Sequence, residues 1–98
     1  MADHDTLRIA PLDLAEYMTD TETQAEVLTD ALESGDAAYV AHVLGTIARA
    51  RGMAGVAKEA GLSRESLYRS LSAKGNPELA TVMAVAKTLN LTLTVRAA

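Results

Sequence analysis

Between residues 64 and 69 the chain places Arg64, Glu65, Ser66, Tyr68 and Arg69. Together they offer most of what a base edge or a phosphate can bind. A guanidinium presents paired N–H donors that match guanine O6 and N7 or two phosphate oxygens. A carboxylate accepts from the cytosine amino group, and a hydroxyl or phenol can hydrogen-bond either way or touch a thymine methyl. Ser63 adds a hydroxyl just ahead of them, and Arg51, Lys58 and Lys74 lie at flanking positions suited to phosphate. A solvated helix face is the plainer account of such residues, but it leaves their surroundings unexplained.

Those surroundings read MAGVAKEAGLSRESLYRSL over residues 53–71. Val56, Ala57 and Ala60 recur at helical spacing and give a first helix a narrow apolar stripe, with the small Ala57 allowing a second helix to cross closely above it. Gly61 can end that helix in a left-handed conformation without a side-chain clash. Leu62 drops between the helices, and the Ser63 hydroxyl can accept from an orphan N–H of the second helix. Leu67 and Leu71, four apart, face inward, which leaves Arg64, Glu65, Tyr68 and Arg69 outward with Ser66 and Ser70 near the margin. This is the layout of a DNA-reading helix-turn-helix.

Other chemistries find little support. His4 lies in a loose arm formed by residues 1–10, and His42 sits on the polar side of a helix with Thr46 and Arg49. Neither has a companion at ligand or base spacing. Ser63 and Ser66 have no histidine nearby, and no glycine-rich phosphate loop follows a strand. No catalytic residue, cofactor or metal site is expected, and the chain is read as not an enzyme. Cysteine is absent, which removes disulfides and thiolate metal sites. No apolar run approaches the roughly 20 residues that span a bilayer, and the N-terminus is acidic rather than a basic leader, so a cytoplasmic location with no membrane contact is expected.

The net charge of -4 seems to oppose a nucleic-acid partner until it is resolved along the chain. Residues 1–44 carry ten acids against one base, whereas residues 45–77 carry six bases against two acids. With a screening length of about 8 Å at physiological salt, a basic face can act on DNA while a distant acidic lobe is screened. A two-signed surface points to two partners.

Ninety-eight residues suffice for one domain with one modest core. Asp13 with Glu16, and Thr21 with Gln24, have capping-box spacing and predict a short helix near 13–18 and a longer one near 22–34. Val40, Val43, Leu44 and Ile47 predict a helix over residues 37–51, closed by Gly52. After residue 71 a loop holds Lys74 and Gly75. Asn76 is expected to cap a last helix with Pro77 in its first position; its face would be Leu79, Val82, Met83, Ala86 and Leu89, and Asn90 would end it in a left-handed conformation. Residues 91–95, LTLTV, alternate as a strand does. A strand with no partner in its own chain would pair with a second copy. Tyr17 and Tyr39 are read as core or interface aromatics.

The chain resembles the helix-turn-helix family of the lambda and 434 repressors and Cro. More narrowly, it is similar to the addiction-module antidote proteins related to the Hig-type antitoxins, through LDLAEYMTDTETQAEVLTDALESGD, IARARGMAGVAKEAGLSRESLYRSLS and GNPELATVMAVAKTLNLTL. These stretches cover residues 12–93, and the central one is the most specific. Ser70 departs from the wider family, which often has a branched apolar residue there. The resemblance implies an all-α fold: a five-helix lambda-repressor-like domain spanning residues 1–98, with an acidic helical extension at about 11–35 and a short C-terminal β-strand at about 91–96. It also implies a homodimer on double-stranded operator DNA that represses its own promoter and neutralises a small basic toxin of the RelE or ParE type.

The toxin face would be residues 13–36, with eight acids and no base, anchored by Leu12, Leu14, Tyr17, Val27, Leu28 and Leu32. A plain helix-turn-helix regulator without a toxin shares every feature of residues 45–77. An interaction module that has lost DNA binding is opposed by Arg64 and Arg69.

Overall fold

A computed structural model describes residues 20–72, 74 and 76–98. Among these the chain forms five helices: α1 (Thr21–Ser34), α2 (Ala37–Arg51), α3 (Met53–Ala60), α4 (Arg64–Ser70) and α5 (Leu79–Thr88). The short helix expected near 13–18 and Tyr17 lie outside the described residues.

Local signals set the first boundaries. The Asp20 carboxylate accepts from the Thr23 N–H at 2.7 Å and from its hydroxyl at 3.1 Å, so α1 is capped one residue before Thr21, the cap expected from spacing. Gly35, at φ 74°, ends the helix, and its N–H donates to the Leu32 carbonyl. Asp36 caps α2 by accepting from the Ala38 and Tyr39 N–H groups at 3.0 and 3.2 Å. Two of the acids counted in the extension therefore satisfy helix ends.

Helix α2 is the hub, and its second half is buried on nearly all sides: Ala41, Val43, Leu44, Gly45, Thr46, Ile47 and Ala48. A helix apolar all round is one with neighbours all round. It packs against α1, α3 and α5, and the core it centres includes Leu28, Met53, Val56, Leu67, Leu71, Val85 and Leu89. Thr46, expected on a polar side, is 3% exposed. Its hydroxyl donates to the His42 carbonyl one turn back at 3.0 Å and accepts from Arg49 at 3.4 Å, which allows a polar side chain inside.

Gly45 marks a close approach. A Cβ there would lie 2.8 Å from the Leu71 carbonyl oxygen and 3.3 Å from an Arg49 guanidinium nitrogen. The end of α4 is thus seated directly on the α2 backbone.

Helix α5 departs from expectation at its start and on its face. It begins at Leu79 behind Glu78, which makes no side-chain capping bond, so Asn76 does not cap it and Pro77 precedes it. Its inward side is Val82, Val85, Ala86 and Leu89, while Leu79 and Met83 are 70% and 56% exposed. Residues 79, 82, 83, 86 and 89 contain two overlapping helical stripes, and packing against α3 selects one. Asn90, at φ 61°, ends α5 in the left-handed conformation as expected, and the Leu91 N–H donates back to the Ala86 carbonyl at 2.9 Å.

The strand expected at residues 91–95 is absent: residues 91–98 carry no regular structure. A ladder needs a partner, and the described residues supply none. The alternation survives as burial, with Leu91 buried, Leu93 half-buried and Thr92 and Thr94 exposed. Residues 90–94 and 96–98 border a groove of about 750 Å³ against α1, and Arg96 forms an ion pair with Glu33 on that helix. No helix of the described residues is long and apolar enough to cross a membrane.

Candidate nucleic-acid interface

Two short helices, α3 and α4, pack against each other across a three-residue turn. Gly61 opens the turn at φ 75°, a conformation that costs a side-chain-bearing residue steric strain and costs glycine nothing. Its N–H donates to the Lys58 carbonyl at 3.2 Å, and the Leu62 N–H donates to the Ala57 carbonyl at 2.9 Å. These two bonds satisfy two of the four carbonyls that the end of a helix leaves open. Leu62 is half-buried against the core. Ser63 has extended backbone, and its hydroxyl accepts from the Ser66 N–H at 3.0 Å. The cap is thus the one expected from sequence.

Leu67 and Leu71, 0% and 2% exposed, anchor α4 from beneath. Burying a leucine side chain contributes about 1.5–3 kcal/mol, so two in eight residues fix the rotation of a helix too short to persist alone. With that rotation set, Arg64, Glu65, Tyr68 and Arg69 are exposed, and Ser66 and Ser70 are half-buried. Leu71 takes the inward position that Ser70 does not fill.

The outward side chains are ordered by one another. The Arg64 guanidinium carbon lies 5.4 Å from the centroid of the Tyr68 ring, a cation–π contact made possible by their spacing of one helical turn. Arg69 donates to the Ser66 hydroxyl at 3.4 Å, and the Ser72 hydroxyl donates to the Arg69 carbonyl at 3.0 Å. The Arg64–Tyr68 pair was legible in sequence as an i, i+4 pairing, although inspection of outward residues alone does not single it out.

The flanking cations divide. Lys58, in the last turn of α3, and Lys74, in the following loop, are exposed. Arg51 has a task inside the fold. Its guanidinium donates to the Thr88 and Leu89 carbonyls, both at 3.3 Å, placing a positive charge at the C-terminal end of α5 where the helix dipole favours it. That contact joins residues 37 and 38 positions apart, beyond the reach of any local pattern.

A second charged surface lies on α1, where Glu22, Glu26, Asp30 and Glu33 are exposed. Among the described residues, Glu33 alone of these four has an ion-pair partner, Arg96. Asp20, at the head of α1, is held below the usual carboxylate range first by the Thr23 backbone N–H and then by the Thr23 hydroxyl. Of the apolar anchors expected here, Leu28 is 3% exposed and belongs to the core, whereas Leu32 is 45% exposed. Val27 is half-buried, and Leu12, Leu14, Asp13 and Glu16 lie outside the described residues. Tyr39, expected in the core or an interface, is 40% exposed.

Comparison with known proteins adds a family. The profile of a family described as "probable addiction module antidote protein" matches residues 8–97. A Haemophilus influenzae protein described as uncharacterized is 44% identical over 86 residues, covering 88% of this chain and 89% of its own length. No solved structure matches.

Proposed function

The chain belongs to the addiction module antidote family, and from that premise we propose that it is a sequence-specific DNA-binding antitoxin of a type II toxin–antitoxin module. In this reading it binds its own operator as a homodimer, represses its promoter and neutralises a small basic toxin of the RelE or ParE kind. It carries out no catalysis and acts in the cytoplasm.

The observation that carries the DNA half is the exposed face of α4. Helices α3 and α4 act as a helix-turn-helix, and α4 enters the major groove. Arg64 and Arg69 reach guanine edges or phosphates, Glu65 accepts from cytosine, and Ser63, Ser66 and Tyr68 add hydrogen bonds or thymine contacts. The Ser63 oxygen is occupied by its capping bond, leaving its O–H to donate outward. Lys58 and Lys74 bind phosphate. Arg51 contributes positive charge from its place at the end of α5.

Dimerisation uses the flank of α5 that carries Leu79 and Met83, with residues 91–95 pairing against their copy. One recognition helix spans too little DNA for high specificity, and two related by a two-fold axis read half-sites about 34 Å apart. The toxin half rests on family membership and on the acidic surface of α1. There Glu22, Glu26 and Asp30 select a basic partner, and Leu32 supplies an apolar contact.

Band shifts on the protein's own promoter test the first half. Binding should weaken steeply between low and moderate salt as counterion release dictates, and absence of binding at low salt would remove the DNA reading. Coexpression with the product of the adjoining gene tests the second. A stable complex is expected from the whole chain, and a Glu22→Lys, Glu26→Lys, Asp30→Lys variant that captures the toxin unchanged would move that interface elsewhere.

A further inference from the structure

Arg64 is the first residue of α4, and Tyr68 follows one turn later on the same exposed side. The Arg64 guanidinium carbon lies over the Tyr68 ring, 5.4 Å from its centroid, within the reach of a cation–π contact. Such a contact rests on the charge and leaves the guanidinium's N–H donors available for other partners. No hydrogen bond or ion pair engages Arg64 among the described residues. Arg69, by contrast, spends a donor on Ser66. The two arginines of α4 are therefore unlike: one is clamped by an aromatic ring with its donor edge open, the other is tethered by a hydroxyl.

An unclamped arginine is a poor reader of sequence, because a flexible side chain can satisfy itself on the nearest phosphate and carries about 2 kcal/mol of rotamer entropy that bidentate binding must overcome. The place of Tyr68 is set by the fold, since it lies on a helix whose rotation is set by Leu67 and Leu71 beneath and whose start is set by Ser63. A ring presented one turn after Arg64 can restrict the guanidinium that lies over it.

We propose that Tyr68 is a positioning residue that holds Arg64 in the orientation required to read one guanine in each half-site. The inference rests on the DNA-binding reading above. It makes Arg64 the base-specific arginine of α4, with its paired N–H edge on O6 and N7, and it assigns Tyr68 an effect on specificity that passes through Arg64.

The test is selection from a random-sequence DNA duplex pool with the full chain, followed by competition titrations on the selected motif and its single-base variants. Wild type, Arg64→Ala, Tyr68→Ala and Tyr68→Phe are compared. Arg64→Ala and Tyr68→Ala should both flatten the preference at the same guanine. Tyr68→Ala should lose about 3- to 30-fold of the discrimination there, the range that cation–π contacts span, with the salt slope unchanged. Tyr68→Phe keeps the ring and should keep the preference at that guanine, losing only what the phenol hydroxyl contributes at its own contact. Three results would overturn the inference: Tyr68→Ala weakening all sequences equally or not at all, Tyr68→Ala altering a different base pair from Arg64→Ala, or Arg64→Ala lowering the salt slope by one phosphate while preference is intact. A wild-type protein that enriches no motif removes the DNA reading instead, and this inference with it.

Discussion

Helices α4 and α5 are both short and both rest on the same core, yet they finish their surfaces in opposite ways. Helix α4 buries Leu67 and exposes Arg64, Glu65, Tyr68 and Arg69. Helix α5 buries Val85 and Ala86 and leaves Leu79 and Met83 open. The surface of α4 is satisfied by water. That of α5 is unfavourable in water as long as nothing apolar covers it. Polarity of the outward face thus separates the two helices, and on the proposed reading it assigns α4 to nucleic acid and α5 to protein.

The sharpest way to break this contrast is to shorten an apolar side chain on each helix. Leu67→Ala should destabilise the fold by about 2–5 kcal/mol, the range for an emptied leucine site, measured by denaturant unfolding. Met83→Ala should leave the unfolding of an isolated chain within about 0.5 kcal/mol and lower the self-association seen by sedimentation. If Met83→Ala costs as much as Leu67→Ala at dilution, the flank of α5 is core and the comparison fails.

Next in size is Gly45→Ala. Helix propensity alone would favour alanine by about 1 kcal/mol, but the new Cβ would meet the Leu71 carbonyl at 2.8 Å, and overpacking of this kind costs about 1–3 kcal/mol. A lowered Tm is expected. A raised one would show that α4 sits less firmly on α2 than on its own cap.

The caps provide a smaller contrast. Ser63→Ala removes the bond to the Ser66 N–H and should cost about 1 kcal/mol, whereas Glu78→Ser offers α5 a cap it lacks and should stabilise by up to about 1 kcal/mol. Thermal unfolding of both variants checks the signs. The smallest effect is on pH. Asp20 has its folded-state pKa lowered by Thr23, so its contribution is present above the unfolded value and is lost as pH falls through the folded one. Acid unfolding of Asp20→Asn should therefore lack a shallow component below the usual carboxylate range that the wild type shows.

What could be read from sequence followed the range of its cause. The α3 turn and α4 were legible because Gly61, Ser63, Leu67 and Leu71 act within a few residues of themselves. The face of α5 was not, since two stripes overlap and α3 chooses between them. Its start was misread because Asn76 and Pro77 form a sound local signal that the chain does not use. Thr46 escaped because back-bonding to the His42 carbonyl makes a hydroxyl as acceptable inside as a methyl. The expected strand fails for a different reason: alternation describes a segment's faces, and only a neighbour can make it a ladder. Within the candidate site the outward residues of α4 were all identifiable, whereas the bonds of Arg51 to Thr88 and Leu89 required the folded chain.

Helix α2 is gripped at two points, by the Leu71 carbonyl over Gly45 and by Arg51 at the end of α5. They are six positions apart, about 9 Å of helix, and no loop intervenes. Helices α4 and α5 are therefore connected through a stiff rod as well as through the chain between residues 70 and 79. Two copies joined along α5 would carry their α4 helices as the jaws of a calliper, with a gap fixed by the length of that rod. If such a dimer reads DNA as proposed, the interval between half-sites would be a dimension of the protein, and a shift of one residue at Gly45 or Arg51 would recalibrate the instrument.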